Sequence, residues 1–281
     1  MHGCRPAGKP GVGSRDAGLL RGCRALVLGS AMVAVFPLCW GEELASELPA
    51  VTPYRPSVST PAALSAPGWL EAEAGLLRVG NSVENLRESL PYSLKLAFSA
   101  DWGIRVGGEA LVRGSNAQGE TATGFGDTSL VLKRRFAMND HPAFGLELGA
   151  GFSTAPAELG SGSGGTDVSV NGIYSADIGV LHTDVNLLVT RLARVATDAS
   201  QLQTLYAAAL SGNLNARWSI VAELSGTRQR NTDPTAQGLC AASYSPTRAI
   251  TFDGGVAKGF LSRSASWSVF MGFTALAGRV F

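Results

Sequence analysis

Beyond Gly41 the sequence has no run of about 18 apolar residues, the length a membrane-crossing helix needs. That excludes a helical membrane bundle for residues 42–281. Charge is scarce as well, with Asp, Glu, Lys and Arg making up 16% of the chain. Low charge without long apolar runs is what strands give when apolar and polar residues alternate along them. Cysteine almost vanishes after the start: Cys4, Cys23 and Cys39 fall in the first 41 residues and only Cys240 follows. A single cysteine makes no intramolecular disulfide, and Cys/His metal spacing is missing, so no metal, cofactor or catalytic residue is expected. His141 and His182 lie far apart and read as turn or interface residues. A basic surplus is missing too. Residues 1–41 hold five basic side chains against Asp16, a net +4, while the remaining 240 carry 18 basic and 21 acidic, a net −3. Without a basic stripe, a nucleic-acid partner is excluded. No GxxxxGK[ST] phosphate cradle exists, since Gly160–Gly165 lacks the lysine and reads as a flexible loop.

What is present begins with a leader. Arg21 and Arg24 precede an apolar core from Ala25 to Trp40, followed by Gly41 and the acidic Glu42 and Glu43. This is the pattern of a secretory signal over residues 1–41, preceded by some 20 residues that suggest an early start codon. A single membrane anchor is the alternative, but the core is shorter than the roughly 20 residues that span. Residues 42–67 carry Pro49, Pro53, Pro56, Pro61 and Pro67, so they sit in no sheet interior. They are either an extended periplasmic lead-in or a small plug folded into a barrel mouth.

From Trp69 to Phe281 the dominant period is two, the strand signal. Tyr92, Leu94, Leu96 and Phe98 alternate with Ser93, Lys95, Ala97 and Ser99; Trp102, Ile104, Val106, Gly108, Ala110 and Val112 share a second such face. Twelve segments follow, at about 69–78, 92–99, 102–113, 125–136, 143–153, 167–178, 182–192, 203–213, 217–228, 236–245, 248–258 and 266–281. A strand rises about 3.4 Å per residue, so ten residues tilted about 45° span roughly 24 Å, near the apolar band of about 25 Å in outer-membrane barrels. Alternate connections are long and short, as expected of surface loops and periplasmic turns. The even strand count leaves both ends on the periplasmic side. Pro91, Pro142, Pro156, Pro234 and Pro246 are all expected in connections. Phe98, Trp102, Phe136, Phe144, Trp218, Tyr244 and Phe281 are expected to face outward at the inner strand ends, as an aromatic girdle. Arg134 and Arg279 would share that outward face, snorkelling at the interface. The expected fold is therefore an all-β transmembrane antiparallel up-and-down barrel over residues 68–281, in contact with outer-membrane lipids in a bacterial outer membrane.

The residues Pro53-Tyr54-Arg55-Pro56, Gly68-Trp69-Leu70-Glu71, Leu90-Pro91-Tyr92-Ser93-Leu94-Lys95, Gly126-Asp127-Thr128 with Lys133-Arg134-Arg135-Phe136, and Asn171-Gly172-Ile173-Tyr174-Ser175 carry a resemblance. The chain resembles a family of proteobacterial outer-membrane proteins named for the meta-pathway of phenol degradation and often called simply "transporter". The resemblance implies a barrel passing hydrophobic or aromatic compounds, and it supplies no functional residues. The terminal Arg279-Val280-Phe281 resembles the signature read by barrel-assembly machinery, an expected partner.

By parity the inward charges include Glu71, Glu73, Lys95, Arg113, Glu223 and Asp253. Arg105, Glu109, Asp127, Lys133, Arg135 and Glu147 form the candidate constriction. Such charges are either a salt-bridge network that shapes a narrow barrel or a mixed-charge pore lining. Passive passage of a small solute is the expected function. The alternatives are a structural barrel and an outer-membrane enzyme, and the two histidines are placed poorly for the latter. Energised uptake through a large plugged barrel needs about 22 strands, more than this chain supplies.

Overall fold

A computed structural model describes residues 48–80, 86–115, 121–138, 142–155 and 163–281. The expected signal segment and His141 lie outside the described residues. The strands are β1 (Trp69–Gly80), β2 (Leu86–Ala97), β3 (Trp102–Ser115), β4 (Thr121–Gly124), β5 (Thr128–Ala137), β6 (Ala143–Phe152), β7 (Asp167–Ile178), β8 (Leu181–Arg191), β9 (Leu202–Asn213), β10 (Trp218–Gln229), β11 (Thr235–Thr247), β12 (Ile250–Gly259) and β13 (Trp267–Arg279). Twelve of them form a closed antiparallel ring. β1 pairs with both β2 and β13, β3 pairs with β2 and β5, and β5 to β13 follow in sequence order. β4 is a short arm folded back on the end of β3.

Closure follows from the solvent. Hydrocarbon supplies no hydrogen bonds, so a spanning sheet must leave no edge. The alternation then decides which face meets lipid. Leu94 is 42% exposed while its neighbour Lys95 is 2% exposed. Leu148, Leu187, Leu224 and Met271 are likewise exposed on the outside, while Glu71, Glu147, Asn186 and Glu223 are buried inside. An apolar exterior around a polar interior marks a barrel that spans a membrane. At the ends with short turns, Phe144 stacks on Tyr174 and Trp218 on Tyr244, with ring centroids 5.2 and 4.9 Å apart. Arg134 lies over the Trp102 and Phe136 rings, which is how an outward cation is held at the interface.

Five expectations need correction, the first four because an irregularity in one strand is visible only against its partner. Pro91 lies within β2 and Pro246 within β11, rather than in connections, each at a break in the ladder register. A bulge needs no N–H at that point, so proline is tolerated. β1 and β2 consequently run on to Gly80 and back from Leu86, closer together than the expected connection of residues 79–91. The same bulge shifts the phase of β3, so that Val112 is buried inside and Arg113 is exposed. A second bulge, between the Leu70–Gly278 and Glu71–Leu276 pairs, sets Arg279 opposite Trp69 on the inward face rather than outward. Finally, the expected strand 125–136 starts only at Thr128, and Asp127 sits between β4 and β5 rather than on a lumen wall.

Candidate functional site

Twelve strands enclose more room than the eight whose side chains just fill a barrel, and less than the sixteen that leave an aqueous channel. Here the space is crossed by the chain itself. Residues 51–65 run through the interior, and inward side chains from around the ring take up their backbone. Val51 N donates to Arg248 O at 2.8 Å, and Thr52 N and Tyr54 N donate to the carboxylates of Glu71 and Glu73 at 3.1 and 2.8 Å. Ser59 N donates to Glu223 at 2.8 Å, Thr60 N to Asn186 Oδ1 at 2.9 Å and Ala62 N to Ser175 Oγ at 2.7 Å. A buried irregular segment needs a partner for every N–H it carries. Pro53, Pro56 and Pro61 reduce that demand by carrying none. The segment meets the wall at Ala62, which packs with Ala143 and Ile173.

Tyr54 is the centre of a charged knot. The ammonium groups of Lys95 and Lys133 both lie 4.2 Å from its ring centroid. Lys95 pairs with Glu71 at 3.0 Å and Glu73 at 2.7 Å, and Lys133 pairs with Glu147 at 3.3 Å and donates to Tyr54 Oη at 3.0 Å. Beside it, Arg55 Nε and Nη2 donate to Asp253 at 3.2 and 3.1 Å. Two glycines make room for this guanidinium. A Cβ on Gly75 would lie 2.7 Å from Arg55 Nη2, and one on Gly272 would lie 2.7 Å from Arg55 Nε. Gly75 and Gly272 are direct partners across β1 and β13, so the seat is formed by adjacent strands.

The segment lies between two cavities. One, of about 510 Å³, is walled by residues such as Arg105, Glu147, Asn171 and Thr190 and extends toward the long-loop end. The other, of about 310 Å³, is walled by His182, Asp184, Ser211 and Thr251 at the short-turn end. Tyr54, Arg55 and Ser57 line both. A third cavity, about 550 Å³ and mostly apolar, lies where the β1–β2 ladder is interrupted between the Ala74–Tyr92 and Leu77–Ser89 pairs. It touches lumen-facing Leu77 and Phe270 and lipid-facing Leu76 and Met271. Phe270 also packs with Leu239 and Ala257 in an apolar patch on the inner wall.

Of the six residues expected at a constriction, Arg105, Lys133 and Glu147 come together and line one small pocket with Tyr54 and Lys95. Arg135 is on the same strand face as Lys133, one inward position nearer the short-turn end, and its buried Nε has no hydrogen-bond partner. Glu109 is drawn away by Arg87, whose Nη1 donates to it at 2.8 Å. Asp127 serves the loops, accepting from Ala155 N at 3.0 Å and Ser163 N at 2.6 Å. Burial works to raise its pKa, but these backbone bonds outweigh burial and hold the carboxyl below its ordinary 3.8. Parity reasoning did not single out Tyr54, Arg55 or Asn186. The first two stand in the Pro53-Tyr54-Arg55-Pro56 motif, which was the available signal. His182 lies between Asp177 at 2.6 Å and Asp184 at 3.3 Å. The Ser175 hydroxyl donates to Asp184 rather than to the imidazole.

No protein-family model matches the chain. No curated protein matches it. Among solved structures it is similar to an outer membrane channel from Pseudomonas putida F1, at 13% identity over 76% of this chain and 97% of that chain, with a TM-score of 0.57. It is also similar to the NanC porin, at 11% identity over 74% of this chain and 100% of that one, with a TM-score of 0.53. At these identities the likeness is one of fold, that of an outer-membrane barrel.

Proposed function

We propose that the chain is an outer-membrane channel for passive passage of a small solute of hydrophobic or aromatic character, with residues 42–67 acting as an internal plug of the 68–281 barrel after export on the 1–41 leader. One observation carries this reading. Cavities of about 510 and 310 Å³ lie on the two sides of the segment, and Tyr54, Arg55 and Ser57 line both. A purely structural barrel has no use for a space of about 510 Å³ on one side of such a segment. The resemblance to the phenol-degradation family supports the solute class, and its Pro53-Tyr54-Arg55-Pro56 motif supplies residues that seat the segment.

The apolar character rests on the wall. Leu77 and Phe270 face the lumen, Leu76 and Met271 face lipid, and one apolar cavity touches all four at the interrupted ladder. An apolar solute thus keeps greasy contact from the interior to the hydrocarbon. Filling that cavity with Leu77→Trp is expected to slow uptake of a neutral aromatic into liposomes while leaving ion conductance unchanged.

The decisive measurement is conductance in planar bilayers. The intact protein is expected to give small discrete steps. Replacing residues 51–62 with a Gly/Ser linker should enlarge them several-fold. Silent bilayers for both proteins, with liposomes equally tight to small aromatics, would establish the structural reading instead.

A further inference from the structure

Six buried side-chain atoms among the described residues have no hydrogen-bond partner, and four of them belong to residues lining the cavity of about 510 Å³: Ser93 Oγ, Arg105 Nε, Glu147 Oε1 and Asn171 Oδ1. Ser93, Glu147 and Asn171 are each more than nine-tenths buried, so bulk water does not satisfy them freely. Folded proteins leave few such groups, and four gathered on one cavity call for an occupant that supplies the partners.

The chemistry of that occupant follows from what each group lacks. Three cations of the knot have their anions: Lys95 has Glu71 and Glu73, Lys133 has Glu147, and Arg55 has Asp253, while Arg135, which keeps an unpartnered Nε, does not line this cavity. Arg105 lines the cavity, and its buried Nε has no hydrogen-bond partner among the described residues, its charge being felt by Glu147 without a close salt bridge. A guanidinium only donates, keeps its charge at any working pH and presents a planar fork that fits a carboxylate on two bonds. Glu147 Oε1 has only the long salt bridge of 3.3 Å to Lys133 Nζ, and Asn171 Oδ1 accepts no hydrogen bond. Both therefore call for a donor, and Ser93 Oγ can serve either way. Gly107 and Gly149 also line the cavity.

We infer that this cavity is a binding site for a small hydroxylated carboxylate, with Arg105 taking the carboxylate and Glu147 and Asn171 taking the hydroxyl. The inference rests on the channel reading and narrows its solute class, since an aromatic acid presents both an apolar ring and these two polar ends.

Equilibrium dialysis of the full-length protein in detergent against radiolabelled 4-hydroxybenzoate tests it. Saturable binding is expected, with 4-hydroxybenzamide, the neutral analogue, binding at least tenfold more weakly. Arg105→Gln should weaken 4-hydroxybenzoate binding at least tenfold and Arg105→Lys less. Glu147→Gln should tighten it a few-fold, because the acceptor oxygen stays and the repelling charge goes. Should Arg105→Gln fail to fold, the neutral analogue and Glu147→Gln still decide. Equal binding of the amide, an indifferent Arg105→Gln, or equal competition by inorganic phosphate would overturn the assignment. A protein that conducts but does not bind 4-hydroxybenzoate defeats this inference and leaves the channel standing. One that binds it but is silent in bilayers does the reverse.

Discussion

Replacing Arg55 with alanine leaves Asp253, whose side chain is 2% exposed, as a buried carboxylate without its guanidinium. Breaking such a pair from one side costs on the order of 3–5 kcal/mol, because the remaining charge stays desolvated. Arg55→Ala is therefore expected to lower stability by about 3 kcal/mol and to raise single-channel conductance, since the plug loses its seat between Gly75 and Gly272. Adding Asp253→Asn should return most of the stability and none of the closure. Conductance unchanged from the parent in Arg55→Ala would show that the knot around Tyr54 closes the lumen without it. Asp127 makes a separate prediction, about pH. Its folded carboxyl is held below the ordinary 3.8 by bonds from Ser163 and Ala155, so its contribution is present above that value. It is lost as pH falls below 3.8 through the lower folded value. Protection of the Ala155 and Ser163 amides, measured as exchange relative to the intrinsic rate at each pH, should thus fall at pH 3 relative to pH 6, and Asp127→Asn should remove that difference. A loss of protection at pH 3 that persists in Asp127→Asn would place the acid-sensitive group elsewhere.

Among the elements, the strands were legible, whereas the segment before them read as either a lead-in or a plug, for a physical reason. A strand's inward and outward faces are set by the pleat alone, so Leu94 and Lys95 announce their sides without reference to any partner. Both Asn171-Gly172 and Asp253-Gly254 stay inside strands, as their neighbours' alternation required. Bulges are different, because the extra residue exists only relative to a facing strand. That is why the phase of Val112 and the side of Arg279 were misread. The plug has no period at all. Its bonds join residues 198 apart for Arg55 and Asp253 and 164 apart for Ser59 and Glu223. Parity named Glu71, Glu73, Lys95, Glu223 and Asp253 as inward without revealing that most of them serve a strand-free segment. The plug's contact with β6 and β7 is testable at Gly145, where a Cβ would come 3.3 Å from the Ala62 Cα and 3.2 Å from the Ile173 Cβ. Gly145→Val should push the segment off the wall and raise conductance. Gly172→Val is the control, since Gly172 faces lipid with nothing within 4 Å of an added Cβ and should leave conductance as it was.

For the whole molecule, the decisive feature is that β13 completes the ring, paired with β1 on one side and β12 on the other. Two things could make the C-terminal end essential, the ladder bonds it supplies or the aromatic it presents to barrel-assembly machinery. They separate experimentally. A chain ending at Ser266 exposes the edges of both β1 and β12 to hydrocarbon, at several kcal/mol for each unpaired backbone group. It should give no compact, heat-sensitive band on a cold gel, even when refolded from urea into detergent without any machinery. Phe281→Ala keeps every ladder pair, because Phe281 lies beyond the last strand and its contact with Arg279 Nε runs through the carbonyl. Refolded alone, it should match the parent in yield and in melting midpoint. In cells it should accumulate folded protein more slowly than the parent if the ring is read during assembly. A Phe281→Ala protein that is equally impaired in detergent would assign the ring to packing, most simply against Gly68, where a Cβ would lie 3.4 Å from Phe281 Cδ2, and would remove the argument for a recognition signal.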